Sequence, residues 1–222
     1  MSRQPIPNVL AARYASGSMT QIWEPENKVR LERQLWIAVL QAQRELGIDV
    51  PDGVIAAYEA VADNVDLTSI ARREAITRHD VKARIEEFNA LAGHEHIHKG
   101  ITSRDLTEIF EQLQIRLSLE LVRDRAIATA VQLADLAVQY SETALTGRSH
   151  NVAAQMTTLG KRFATFADEL LIAIDRIESL LARYPLRGIK GPVGTSQDML
   201  DLVGGDAARL DQLEKKIAVH LG

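Results

Sequence analysis

The 222-residue sequence contains no cysteine. Disulfides and thiolate metal sites are therefore excluded. No apolar stretch approaches the roughly 18 residues that read as a membrane span. No apolar signal region follows Met1-Ser2-Arg3-Gln4-Pro5, so a soluble cytoplasmic protein without a membrane partner is the expectation. An excess of charge of one sign is also lacking. The 26 Lys and Arg against 30 Asp and Glu give a net charge of −4, which implies no attraction to nucleic acid. Internal repeats and low-complexity segments are absent. Finally, neither Gly nor Pro occurs between Gly100 and Gly147. A helix of roughly 40 residues there would be about 60 Å long.

What is present is a hydrophobic content of 46%, enough for a core, in an almost wholly helical pattern. Pro25 opens a run to Leu46, closed by Gly47, with Trp36, Val39, Leu40 and Leu46 as its apolar stripe. Pro51 opens a shorter helix through Ala62. Another run reaches Ala75, and Thr77 begins a helix carrying Val81, Ile85 and Phe88 on one face and ending at Gly93. Thr102 and Asp105 give a T-x-x-D capping signal for the long helix. A second long helix is predicted soon after His150. Met156, Leu159, Phe163, Phe166, Leu170, Ala173, Ile177 and Leu180 form its heptad seam, with Met156 and the phenylalanines in a core. Tyr184-Pro185 ends it, a glycine-rich loop spans Gly188 to Thr195, and a last helix runs from about Ala207 to Ala218. The expected architecture is all-α. A small helical N-terminal domain (1–105) precedes the first long helices of a bundle (106–222), whose apolar stripes need partner helices.

Four clusters could carry chemistry. Arg13-Tyr14, read as a loop, can bind phosphate or carboxylate, although a solvated arginine beside a packing tyrosine is the plainer reading. Thr77-Arg78-His79-Asp80-Val81 places a histidine and a carboxylate at a helix start, where capping by Asp80 is the plainer reading. His94, His96 and His98 alternate, and Glu95-x-x-His98 fits a di-iron half-site, but no second E-x-x-H exists, so metal is not expected. Just beyond, Thr102 and Ser103 combine hydroxyls with free helix-start N–H groups, a natural carboxylate site. The fourth cluster is Gly147-Arg148-Ser149-His150, with Thr157 and Thr158. It puts a group that titrates near neutrality where a glycine turn meets a helix.

Together these clusters resemble the fumarase/aspartase superfamily, and within it the adenylosuccinate lyase branch. His98 with Gly100-Ile101-Thr102-Ser103-Arg104-Asp105 is similar to the first family region, H-x-G-x-T-S-x-D. Gly147 to Gly160 is similar to the second, G-R-T-H-x-Q-x-A-x-P-T-T-x-G. Arg13-Tyr14 with Met19, Ile22 and Trp23 resembles the opening R-Y-x(4)-M-x-x-I-W, and Thr77 to Val81 resembles T-x-H-D-V. These last two patterns mark the branch.

The resemblance implies a homotetrameric enzyme that eliminates fumarate from adenylosuccinate, giving AMP, and from SAICAR, giving AICAR, with no cofactor and no metal. It implies His150 as general acid, and His79 as the group that orients the succinyl moiety and shares in proton transfer. Arg78 and Asp80 lie beside it among the substrate-binding residues. His98 would help bind substrate, Thr102 and Ser103 would hold a succinyl carboxylate, and Arg13 and Tyr14 the nucleotide phosphate. Thr157 and Thr158 would line the same pocket. Val152 replaces the usual glutamine. Ala153 and Met156 replace usual prolines, which would let the following helix begin earlier. The third family region, a mobile loop carrying the serine base, is not found in these 222 residues. The expectation is therefore an N-terminal portion of a lyase, inactive by itself. Two alternatives stand beside it: a non-catalytic helical assembly module, and another fumarate-releasing lyase of the superfamily.

Overall fold

The computed structural model describes residues 8–222. It is helical throughout except for one hairpin. The order is α1 (Val9–Tyr14), α2 (Gly17–Trp23), α3 (Pro25–Glu45), α4 (Val54–Ala60), α5 (Leu67–Thr77), α6 (Asp80–Ala92), α7 (Ser103–Gln139), β1 (Ala144–Ser149), β2 (Val152–Thr158), α8 (Leu159–Ala182), α9 (Gln197–Leu202) and α10 (Ala207–Leu221).

The chain divides into two compact units. One comprises the residues up to Ile115 together with Pro185–Gly222, and the other is Arg116–Tyr184. This differs from a single boundary near residue 105. Residues after Tyr184 return to the first unit, where Ile189, Met199, Leu213 and Ile217 join its core.

The first unit is organised on α3. Leu35, Trp36, Val39 and Leu40 are buried with Tyr58 of α4, Phe88 of α6, and Leu106 and Ile109 of α7. Unusually, the buried surface of α3 also holds charge. Arg33 is fully buried. It meets Glu87 at 2.5 Å, donates to the carbonyls of Val61 and Ala62 at 2.9 Å, and stacks on the Phe88 ring at 4.6 Å. A buried cation needs this full set of partners, because an unpaired one would be expelled or neutralised.

The second unit contains the rest of α7, the hairpin and α8. The hairpin corrects the expected helix start after His150. β1 and β2 pair antiparallel, with Ser149 opposite Val152, leaving His150 and Asn151 as a two-residue turn. Both have positive φ, 51° and 63°, the backbone that a twisted hairpin favours and that Asn tolerates better than most residues. The helix begins only at Leu159, capped by the Thr158 hydroxyl, which accepts from the Lys161 N–H at 3.1 Å. The prolines missing from this segment thus leave room for a strand rather than an earlier helix. Met156 lies on β2 and is 75% exposed, and Phe166 on α8 is 54% exposed. Neither is core in this chain: α7 covers α8 along Phe163, Ile174, Ile177 and Leu181, and Met156 and Phe166 lie outside that contact.

Gly160 is needed at the start of α8. A Cβ there would come within 2.7 Å of backbone atoms of Tyr140 and Ser141, and closer still to the Ala137 carbonyl oxygen. That approach lets the Tyr140 carbonyl accept from the Gly160 N–H at 2.9 Å.

Candidate active site

The first unit places most of the sequence-predicted residues. Arg78 closes α5 in the left-handed conformation, at φ 51°. His79 follows as the N-cap of α6: its Nδ1 accepts from the Lys82 N–H at 3.1 Å. The capping group is therefore the histidine and not Asp80. With Nδ1 used as acceptor, the neutral ring carries its proton on Nε2. Thr77 Oγ1 braces this junction by bonding both backbone groups of His79.

Asp80 lies 3.8 Å from His79 Nδ1 and accepts from Arg84 at 2.9 Å. Partial burial raises the pKa of Asp80, but the Arg84 hydrogen bond and charge leave it below the ordinary carboxylate range. Arg84 in turn lies 2.6 Å from Glu32 on α3. Burial dominates at Glu32 and pushes its pKa up to about 7 against the attraction of Arg84. A line of alternating charge, Glu32–Arg84–Asp80, thus runs from the core to the start of α6.

The loop from Gly93 to Thr102 is held from α3 and α4. The Tyr58 hydroxyl accepts from the His96 N–H at 3.1 Å and lies 2.8 Å from the His94 carbonyl. Gln43 donates to the Lys99 carbonyl at 3.2 Å, and the Trp36 indole N–H donates to His98 Nδ1 at 3.1 Å. Gly100, at φ 71°, packs against Leu202 and Met199, where a Cβ would meet Leu202 at 2.7 Å. His98 goes to Trp36, His96 to Lys99 Nζ at 3.1 Å and His94 against the Tyr58 ring, while the His94 and His96 rings also meet edge-on with centroids 6.4 Å apart. Among the described residues no three His, Asp or Glu side chains converge at metal spacing.

Thr102 and Ser103 are half-buried at the start of α7. Asp105 secures this turn by accepting from the Thr102 N–H at 3.0 Å. Asp105 is fully buried, and it also accepts from Arg187 and from the N–H groups of Lys190 and Gly191. His98 is mostly buried. Its pKa is pushed down to about 4 by desolvation, with Asp105 opposing and the His79 charge adding to the fall. His79, His98 and Asp105 therefore share one electrostatic neighbourhood. Arg13 and Tyr14 are not in a loop: they end the short helix α1, where both are exposed. No contact joins them to His79 or His98 among the described residues.

In the second unit, His150 stands exposed at the hairpin tip. An open cleft of about 550 Å³ lies along the hairpin and the start of α8, lined by Arg148, Gln155, Thr157, Lys161 and Arg162. Thr157 borders this cleft, Thr158 is used as a cap, and His150 is outside its lining.

From the sequence Trp36 was only a member of an apolar stripe, and Gln43, Glu32 and Arg84 were not singled out. Only Arg84 carried a local signal, its i+4 spacing from Asp80. What the first unit offers chemically is a set of hydrogen-bond donors: ring N–H groups, hydroxyls and a helix start, all suited to carboxylate oxygens.

A family profile described as Lyase matches residues 9–199. The chain belongs to this lyase family. The chain is similar to the adenylosuccinate lyase of Saccharomyces cerevisiae, at 32% identity over 222 residues, covering 96% of this chain and 45% of the yeast protein. It is also similar to the N-acetyl-S-(2-succino)cysteine lyase of Dickeya dadantii, at 26% identity over 190 residues, covering 84% of this chain and 42% of that one. The crystal structure of a fumarate lyase from Mesorhizobium has the same fold, with a TM-score of 0.79 and 23% identity over 93% of this chain and 48% of that one. This lyase chain thus spans less than half the length of the curated relatives it matches.

Proposed function

We propose that this lyase acts on adenylosuccinate and SAICAR, eliminating fumarate to leave AMP and AICAR in purine biosynthesis. The supporting observation is the 32% identity to an adenylosuccinate lyase, sustained over 96% of the chain. In such a β-elimination a base takes a proton from the carbon beside a carboxylate, the carbon–nitrogen bond breaks, and an acid protonates the leaving nitrogen. Developing negative charge on the carboxylate side is held by fixed donors.

In this reading His150 is the acid, and His79, flanked by Arg78 and Asp80, orients the succinyl group. Thr102 and Ser103 hold one of its carboxylates, and His98 helps bind substrate. Arg13 and Tyr14 take the phosphate, while Thr157 and Thr158 belong to the pocket wall. The ring N–H of His79, directed by its capping bond, suits that donor role. The assembly would be a cytoplasmic homotetramer whose subunits cover the open seams of α7 and α8 and share active sites. Residues 1–222 by themselves are expected to release no fumarate.

The test is fumarate release by the protein as its gene encodes it, followed by the ultraviolet loss of adenylosuccinate and of SAICAR. Turnover of either supports the assignment. A second reading, cleavage of a carbon–sulfur bond in a succinylated thiol, is favoured by the similarity to the Dickeya lyase. Turnover of such a thioether, with neither purine substrate consumed, would replace the first reading with this one.

A further inference from the structure

An indole nitrogen donates a hydrogen bond and cannot accept one. Trp36 Nε1 lies 3.1 Å from His98 Nδ1. Nδ1 must therefore offer its lone pair, and the proton of the neutral ring sits on Nε2. We propose that Trp36 is a positioning residue: by occupying Nδ1 it holds His98 as the Nε2–H tautomer, so that His98 meets a carboxylate, phosphate or carbonyl oxygen of the substrate as a neutral donor and serves as neither cation nor base. The substrate half of this proposal rests on the lyase reading above; the tautomer does not.

The indole is itself held rigidly. Trp36 is 1% exposed and stacks on Phe88 with ring centroids 6.1 Å apart. Its edge-on contact with the His98 ring, at 6.0 Å, fixes the imidazole plane as well as its proton. The loop carrying His98 is held to the same helix by Gln43, and His98 stands at φ 68°, a backbone that a non-glycine residue keeps only when its surroundings impose it.

Protonating Nδ1 would set two N–H groups against each other. The charged groups around His98 divide: Asp105 of α7 favours the cation, while His79 at the start of α6 and burial among α3 and α7 oppose it. The balance keeps the ring neutral near pH 7. A neutral Nε2–H does not surrender its proton to a substrate anion, so it can bind a carboxylate without quenching it.

The test is nuclear magnetic resonance of the ¹⁵N-labelled 222-residue chain. The expected results are scalar coupling across the hydrogen bond between Trp36 Nε1 and His98 Nδ1, a proton on Nε2, and no titration of His98 between about pH 5.5 and 8. A proton on Nδ1, or titration near the ordinary value of about 6.5, would overturn the proposal. In Trp36→Phe, which keeps the ring stack, His98 should populate both tautomers and its pKa should rise by about one unit. An unchanged tautomer and pKa in a folded Trp36→Phe protein would remove Trp36 from this role. Should that variant not fold, presence or absence of the coupling in the parent protein decides. None of these readouts depends on fumarate release, so failure here and failure of the lyase assignment are separate results.

Discussion

Asp105 and Arg187, 82 positions apart in sequence, form an ion pair on the buried side of the α7 start. The same carboxylate accepts from the N–H groups of Thr102, Lys190 and Gly191. One aspartate thereby ties the Thr102-Ser103 turn to the glycine-rich segment that follows the second unit. Asp105→Ala would leave three N–H groups without their acceptor and the Arg187 guanidinium paired with Glu108 alone. The expected loss is about 3–5 kcal/mol, the range for breaking a buried pair, measured by urea unfolding followed by circular dichroism. Asp105→Asn, which keeps one acceptor oxygen, should lose less. Equal, small losses in both variants would show that the carboxylate does not hold the segment.

Glu32 gives a pH signature. Its folded pKa of about 7 lies above the ordinary carboxylate value of 4.5, so in that window the folded state binds a proton that the unfolded chain has released. Stability from this group is therefore full below about pH 4.5 and is lost as pH rises towards 7, on the order of 3 kcal/mol in total. Glu32→Gln should flatten the pH dependence of the unfolding free energy across this window relative to the parent. An unaltered slope would show that Arg84 outweighs burial and that Glu32 is already ionised.

Two glycines separate steric need from backbone need. Gly160→Ala puts a methyl into the backbone at the end of α7, which cannot yield as a flexible side chain would. A loss of about 2–3 kcal/mol is expected, read as a fall in melting temperature. Gly191 has open space around its missing Cβ but stands at φ 71°. Gly191→Ala should therefore lose only about 1 kcal/mol, from the left-handed backbone. A reversed order would contradict the close approach of α7 and α8.

The role of His150 can be separated from its turn. In the gene-encoded protein, His150→Asn keeps a residue that accepts positive φ, whereas His150→Ala loses both imidazole and turn preference. If His150 is the acid, both variants should lower kcat by about 10²-fold, with the Asn variant matching the parent in thermal stability. Near-normal turnover by His150→Asn would move the acid elsewhere.

The local structure around two of the candidate clusters was legible: the Thr77-to-Val81 run stands at a helix start and Thr102-Ser103 opens the long helix, as their capping patterns implied. That His79 and His98 share one electrostatic neighbourhood was not, because they lie on separate segments. Pro25, Gly47, Gly93 and Tyr184-Pro185 punctuate helices within a few residues of the observed ends, because capping and helix breaking depend on a few adjacent residues. The hairpin was not legible. Met156 falls in phase with the heptad of α8, and nothing in Val152 to Thr158 alternates cleanly, so the helical period ran on into a strand. Arg13-Tyr14 read as a loop because a six-residue helix leaves almost no periodic signal.

The sequence by itself determined the helical class and the order of the family motifs along the chain, since each depends on spacing within one segment. Only the tertiary structure decided that Trp36 meets His98, that Arg84 links Glu32 to Asp80, and that Asp105 gathers Arg187 and the loop beside it. Those contacts join residues from 52 to 86 positions apart except for the single i+4 step. They follow from burial, which forces each enclosed polar group to find its partner wherever packing brings one, and no local pattern records that choice.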